Sequence, residues 1–572
     1  MTHARFAFLI AFLVGTVLPA QRREFVPVTT QMLEQPSPGD WLMYSRTYDA
    51  QRFSPLDQIN TQTVAHLALA WTRGMGVGIT ETIPLVYDGV MYVVNPGARV
   101  QALDGATGDL IWEYARPVPN GVANGARTKT LAIYADVIVY TAPDSVVVGL
   151  DARTGRVRWE SKTDTRAHTS GPVIVEGLAV SGGACFGNRN NCYLAAHDAV
   201  TGKEVWRFQT TPAHGEPGDD SWNGAPLQNR QASTWGLPGS YDPQRRLLYW
   251  GIANPMPDHR AARHGDAEGT ARSSPADLYS NSTVALEPAS GKLAWYYQHV
   301  PGDDWDLDVT HERTLVRTRV APDSRFVKWI NPTIRRGEER EMVVNVAEGG
   351  GIWALDRVTG EFLWATPFPF DTPAFAISAI DGTGKVHLNW DLVFKKPGEQ
   401  RIVCYWNTRS YWPTAYHPGT NSLYTSYIDA CRELTSASAA GPGSWRVVPR
   451  PGSDPAALTG LAKIDLTTGE VLRFDVGRAP GNGAMLATGG GLIFHGDINR
   501  RFRAFDARTG ARVWETILGG NVSVSTITYA VRGKQYVAVM TGDNLKVPEL
   551  LGLVPELQTT RGHNAIYAFA LP

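Results

Sequence analysis

The chain of 572 residues carries 54 Lys plus Arg against 55 Asp plus Glu, a formal net charge of −1. It has no basic field for a phosphate backbone, which excludes nucleic acid as a partner. Its 18 Trp fall largely in or near an internal repeat, where they read as core rather than ligand.

Residues 1–20 start with a basic Arg5, run apolar from Phe6 to Leu18 and reach Ala20 before the polar Gln21-Arg22-Arg23. This pattern is that of a secretory signal peptide. No other stretch holds the roughly 18 to 20 apolar residues that a spanning helix needs. The expectation is an exported protein that does not span the membrane, with residues 21–572 as one domain.

A short phrase then recurs seven times: two residues, mostly apolar, an acidic residue, a turn ending in Gly, and a β-rich stretch that usually closes on Trp. The copies run from Asp104 to Trp112, Asp151 to Trp159, Asp198 to Trp206, Glu287 to Trp295, Asp356 to Trp364, Asp465 to Arg473 and Asp506 to Trp514. Glycine supplies the positive φ of a tight turn, so each copy reads as strand, turn, strand. The first three turn glycines, Gly108, Gly155 and Gly202, lie 47 residues apart, close to the period of a four-stranded propeller blade. Runs such as Val137-Ile138-Val139-Tyr140 show no helical periodicity. The fold class is all-β, a β-propeller. Later spacings of 89, 69, 109 and 41 residues leave long insertions at 207–284, 299–341 and 366–460. Long irregular insertions in a compact domain usually carry function.

Four Cys in an exported chain point to disulfides. Cys185 with Cys192 makes a tight local loop and Cys404 with Cys431 closes a long insertion. Of the three possible connectivities this is the one favoured over a metal-thiolate site, because there is no Cys-x-x-Cys pair. The absence of Cys-x-x-Cys-His means that this sequence carries no c-type haem of its own. The densest cluster of reactive groups is Gly302-Asp303-Asp304-Trp305-Asp306-Leu307-Asp308. If that segment is extended, Asp306 and Asp308 share a side and repel unless a cation or strong donors neutralise them.

The sequence resembles the quinoprotein alcohol dehydrogenases, the family that includes methanol dehydrogenase and uses pyrroloquinoline quinone. The resemblance spans nearly all of the chain after the leader. It rests on Trp41-Leu42-Met43-Tyr44, Arg52-Phe53-Ser54-Pro55-Leu56, Ile59-Asn60 and Leu69-Ala70-Trp71, on the seven phrases, which are similar to the family's tryptophan-docking motifs, and on Ala565 to Ala570, similar to its closing strand. It implies an eight-bladed ring. It also implies Asp306 as the base that takes an alcohol's hydroxyl proton, and Asn254, Asp306 and Asp308 as a metal set, Asp308 marking members that use a lanthanide rather than calcium. Trp235 falls on the indole under the quinone plane, Glu81 and Thr169 on residues at its rim, and Lys129 or Arg127 on a neighbouring basic residue. The chemistry is coherent: a quinone needs a flat platform and a Lewis acid, a hard cation needs oxygen ligands, and the alcohol needs a carboxylate base.

The sequence also departs from the family. No Glu stands near Ala184-Cys185-Phe186-Gly187, where the resemblance implies a metal ligand. Ala123-Asn124 replaces an adjacent Cys pair, and Glu348 occupies the place of a basic residue near the quinone carbonyls, where it becomes a candidate second metal ligand. The family's Asn is missing around Tyr411-Trp412, residues expected with Trp305 to line the substrate pocket. His168 and His311 read as ordinary hydrogen-bonding residues. The leading function is a periplasmic dehydrogenase of an alcohol or polyol that hands electrons to a separate c-type cytochrome. The competing readings are a non-enzymatic scaffold, against which Gln21 stands where a lipoprotein needs Cys, and a relative that no longer binds quinone.

Overall fold

The computed structural model describes residues 24–119, 121–122, 127–164, 167–185, 187–410, 412–437, 441, 443–481 and 483–572. The leader, Ala123-Asn124, Phe186 and Tyr411 lie outside them.

The repeated phrase folds as its residues require. The Asp104 carboxylate accepts from the backbone N–H groups of Ala106 and Thr107 at 2.8 and 3.2 Å, an Asx turn that bends the chain. Gly108 then takes φ +76°, and Arg99–Asp104 pairs back on Leu110–Ala115. The same cap forms at Asp151, Asp198, Asp356, Asp465 and Asp506. Gly108 meets a second constraint, because a Cβ there would lie 2.6 Å from the Trp71 ring. Gly155 meets Trp112 in the same way, and Gly202, Gly291 and Gly360 meet Trp159, Trp206 and Trp295. The indole N–H groups of Trp71, Trp112 and Trp206 donate to carbonyls of the turns they cover.

Among the described residues eight antiparallel sheets have four strands in sequence order, two of them extended by a fifth strand. They begin at Leu85–Tyr87, Ala132–Tyr134, Ala167–Val175, Ser240–Asp242, Thr314–Val320, Ala415–His417, Leu486–Thr488 and Thr526–Val531. The last borrows Ala68–Gly74 from the N-terminal part, paired to Ala565–Ala570. The fold is a β-propeller. An N-terminal segment stitches the first strands together. Val28 bridges Ala135 and Trp41 bridges Val86; Gly39, Tyr48, Asp49 and Gln51 offer carbonyls to Ala530, Tyr241, Leu315 and Tyr416; and Phe53 pairs with Ala487. Seven of the eight first strands thus have an edge group satisfied by one stretch of chain.

Antiparallel order places the connection into each first strand and the connection between second and third strands at the same end of a sheet. The insertions use that end. Residues 252–281 and 429–458 separate second from third strands, residues 542–564 do so in the last sheet, and residues 299–313 and 367–414 lead into first strands. Both expected disulfides are present, Cys185–Cys192 and Cys404–Cys431. Among the described residues no helix is long and apolar enough to cross a membrane.

Candidate active site

The four carboxylates of the acidic segment divide into two pairs. Asp303 is buried and accepts from the backbone N–H groups of Trp305 at 2.7 Å and Leu307 at 2.6 Å, and from the Asn281 amide at 2.8 Å. Asp304 accepts from the backbone of Arg260 at 2.6 Å and of Phe394 at 2.8 Å. Two buried guanidinium groups hold the carbonyls of the same turn, Arg260 those of Pro301 and Gly302 and Arg263 that of Asp303. Asp303 and Asp304 therefore build the turn, and Asp306 and Asp308 are what it presents. The condition of an extended segment is not met: Asp306 sits at φ +64°, in the left-handed region that costs a side-chain-bearing residue about 1–2 kcal/mol. The double cap by Asp303 on either side of Asp306 stabilises that conformation.

Asp308 is tied to the rest of the sequence-derived set. Its carboxylate accepts from the Trp235 indole N–H at 3.0 Å and from the Asn254 backbone N–H at 3.1 Å. Lys129 Nζ lies 5.2 Å from the centroid of the Trp235 ring and 2.9 Å from Glu81 Oε2, in an ion pair buried on both sides. The Cys185–Cys192 loop supports this row from behind, since Gly183 and Cys185 hydrogen-bond Thr234 and Ser233, which precede Trp235. Cys185, at the place of the implied metal-ligating Glu, is thus committed to structure. Thr169 starts the third sheet buried, and its hydroxyl has no hydrogen-bond partner among the described residues. His168 pairs with Thr163 at 3.0 Å, the ordinary role expected of it.

Four further residues of the site come from distant segments and have no motif to announce them. Arg432 Nη1 lies 3.0 Å from Asp306 Oδ2. Lys546, which precedes the helix Val547–Leu553, lies 3.8 Å from Glu348 and 3.7 Å from Glu549. Asn407 donates to Glu549 at 2.8 Å. Only the pairing of scattered acids with scattered bases would have flagged them, and sequence separation hides that.

The electrostatics are those of a site built around charge. Burial, then the neighbouring Asp308, pushes the Asp306 carboxyl well above the usual range against the pull of Arg432. Burial and Glu348 raise Asp308 to about 8, and burial raises Glu348 to about 7 against Lys546. Burial opposes the Lys546 charge, but Glu348, Glu549, Asp306 and Asp308 outweigh it and hold its pKa above the ordinary lysine value.

This donor set fits a hard cation in type, being all oxygen: two carboxylates that repel each other and the Asn254 amide, whose nitrogen is turned to Asp258 at 3.0 Å. It is small. Among the described residues no three His, Cys, Asp or Glu side chains converge as a metal cluster, so Glu348 does not complete a triad with Asp306 and Asp308. The buried Glu81 Oε1 and Thr169 hydroxyl, unpartnered among the described residues, fit the polar rim of a bound cofactor.

Residues 41–369 and 459–537 match the family model described as PQQ: glucose/ethanol/alcohol dehydrogenase, beta-propeller domain. The chain belongs to the PQQ-dependent alcohol dehydrogenase family. It is 30% identical to quinohemoprotein alcohol dehydrogenase ADH-IIG of Pseudomonas putida over 88% of this chain and 72% of that protein. It is 32% identical to the dehydrogenase subunit of alcohol dehydrogenase (quinone) of Gluconacetobacter polyoxogenes, over 93% and 76%. A europium-containing methanol dehydrogenase superposes with a TM-score of 0.80 at 26% identity, covering 95% of this chain and 99% of that one. Within this dehydrogenase, Asp306, Asp308, Asn254, Trp235, Glu81 and Lys129 all fall in the matched segments, whereas Asn407, Arg432, Lys546 and Glu549 all fall outside them.

Proposed function

We propose that this chain is an exported, single-domain dehydrogenase (residues 21–572) that oxidises an alcohol or polyol to the carbonyl compound with Asp306 as base. The observation that carries the reading is the Asp306–Asp308 pair beside Trp235, with Asp308 hydrogen-bonded to the indole. When bound, the quinone supplies a two-electron hydride acceptor and the cation a Lewis acid. Trp235 offers the platform, Lys129, Glu81 and Thr169 the polar rim, and Asn254, Asp306 and Asp308 the cation ligands. Asp306 keeps 28% of its side chain exposed, which suits a group that must reach a substrate hydroxyl. As the alcohol loses a hydride from its carbinol carbon, its hydroxyl proton passes to this carboxylate. Trp305 and Trp412 pack as buried core, with their indole N–H groups given to Leu392 and Ser523 carbonyls, and the partly exposed indole near Asp306 is Trp445, against Arg432.

A lanthanide is the cation we assign, on Asp308 and on the likeness to the europium enzyme, with calcium as the alternative. The ring is assigned eight blades locked by tryptophan, supported by the eight sheets and by Trp71 of the last sheet covering Gly108 of the first. The acceptor we assign is a separate c-type cytochrome in the periplasm, in keeping with the lack of a Cys-x-x-Cys-His motif in this sequence. Titration of the mature protein with pyrroloquinoline quinone plus lanthanum or calcium, followed by quinone absorbance and by dye reduction with a panel of alcohols, tests the reading. Turnover with lanthanum that disappears in Asp306→Ala supports it. Failure to bind quinone with either cation returns the chain to a scaffold or to a relative that no longer binds quinone.

A further inference from the structure

Among the described residues Asp306 has one ion-pair partner, and it comes from residues 429–458, between the second and third strands of the sixth sheet, rather than from the matched segments. Arg432 uses one nitrogen for two acceptors, Asp306 Oδ2 at 3.0 Å and the Trp305 carbonyl at 2.7 Å. It thereby grips the side chain and the backbone of the strained turn together. The guanidinium carbon lies 4.0 Å from the Trp406 ring centroid and 4.4 Å from that of Trp445. All three residues belong to or adjoin one small sheet, Gln400–Cys404, Ala430–Thr435 and Ser444–Pro449, in which Arg432 is opposite Val403 and Trp445 opposite Leu434. The Cys404–Cys431 disulfide crosses that sheet one residue from Arg432 and two from Trp406. The two indoles have centroids 5.8 Å apart and planes inclined at 59°, so they form a corner around the guanidinium, and a planar group set in that corner is held in orientation, which an ammonium on a flexible stem is not.

We infer that Arg432 is a positioning residue for the reaction: it fixes one oxygen of Asp306 and leaves the other to face both the cation and the substrate hydroxyl, while Trp406, Trp445 and the Cys404–Cys431 bridge hold Arg432. The inference rests on Asp306 being the base proposed above. Neither the charge of Arg432 nor its contact with Asp306 is sufficient by itself; its direction is set by the corner. A base turned by about 1 Å loses on the order of 100-fold in rate with binding little affected.

The test measures kcat, KM and quinone affinity separately in the holoenzyme and its variants. Arg432→Ala is expected to lower kcat about 100-fold while KM and quinone affinity shift less than about threefold. Millimolar guanidinium should restore Arg432→Ala about tenfold by refilling the corner formed by the two indoles and leave Asp306→Asn inactive. Arg432→Lys should stay impaired. Trp445→Ala should lower kcat about tenfold in the native background and have no further effect in Arg432→Ala, the coupling expected of one unit. Native kcat in Arg432→Ala overturns the inference, as does a loss carried wholly by KM, which makes Arg432 a substrate contact. So does an additive Trp445→Ala, and if Arg432→Ala does not fold, native kcat in Trp445→Ala alone overturns the inference. A native protein that binds no quinone defeats the dehydrogenase reading instead, before any variant is compared.

Discussion

Aspartate does two opposite jobs in this molecule. On the turns of the repeat, Asp151 accepts from the backbone of Arg153 and Thr154, two and three residues away, and is bonded by the side chains of Arg153 and Arg158. Burial works against its charge, but those bonds win and hold its carboxyl below the usual range. In the insertion site, Asp308 bonds Trp235, 73 residues away, and Asp306 bonds Arg432, 126 residues away. Their carboxyls are pushed up. The turns are locally determined and favour the charged form. The site is assembled from afar and stores unfavourable charge, which a bound cation relieves. Stability and function are thus divided between the two ends of the same sheets.

The comparison can be broken by substitution. Asp306→Asn should cut kcat about 10³-fold, the scale of a lost general base, while the thermal midpoint of the cofactor-free protein stays level or rises because repulsion with Asp308 is removed. A lower midpoint in calorimetry breaks the division. At the turns, Gly155→Ala should cost about 2–3 kcal/mol by urea titration, since φ is +70° and the added Cβ falls 2.5 Å from the Trp112 ring. Its quinone affinity should be native.

The pH dependence sharpens the contrast, because the two classes act with opposite sign. Glu348 has its folded pKa raised from 4.5 to about 7, so its favourable contribution is full at acid pH and is lost as pH rises through that window, on the order of 3 kcal/mol. Glu348→Gln should flatten that part of the stability curve in the cofactor-free protein. Asp151 has its folded pKa depressed, so its contribution is present above the unfolded aspartate value and is lost as pH falls below it. Asp151→Asn should therefore lower stability at neutral pH and lose its effect in acid. The smallest effect is that of a single cap, Asp104→Ala, at about 1 kcal/mol with kcat unchanged.

The regular part of the fold was legible because its causes are local. Asp, Thr and Gly at fixed spacing make the turn, the alternating apolar runs make the strands, and Trp at a fixed distance after the turn packs on the next one. The four Cys could be paired by loop length. The candidate site was legible where a residue lies in a motif, as do Asp306, Asp308, Asn254 and Trp235, and the missing metal-ligating Glu was visible as an absence. The shape of the acidic segment was not legible, because the two carboxylates that cap it, Asp303 and Asp304, look identical in sequence to the two it presents.

Sequence by itself determined the propeller, the location of the insertions and the identity of the proposed base. Tertiary structure alone decided which cations stand at the site. Arg432 and Lys546 lie 126 and 240 residues beyond Asp306, outside any recurring pattern. An ion pair between insertions depends only on where two loops end in space, and the end of the sheets to which antiparallel order delivers them is a property of the assembled ring.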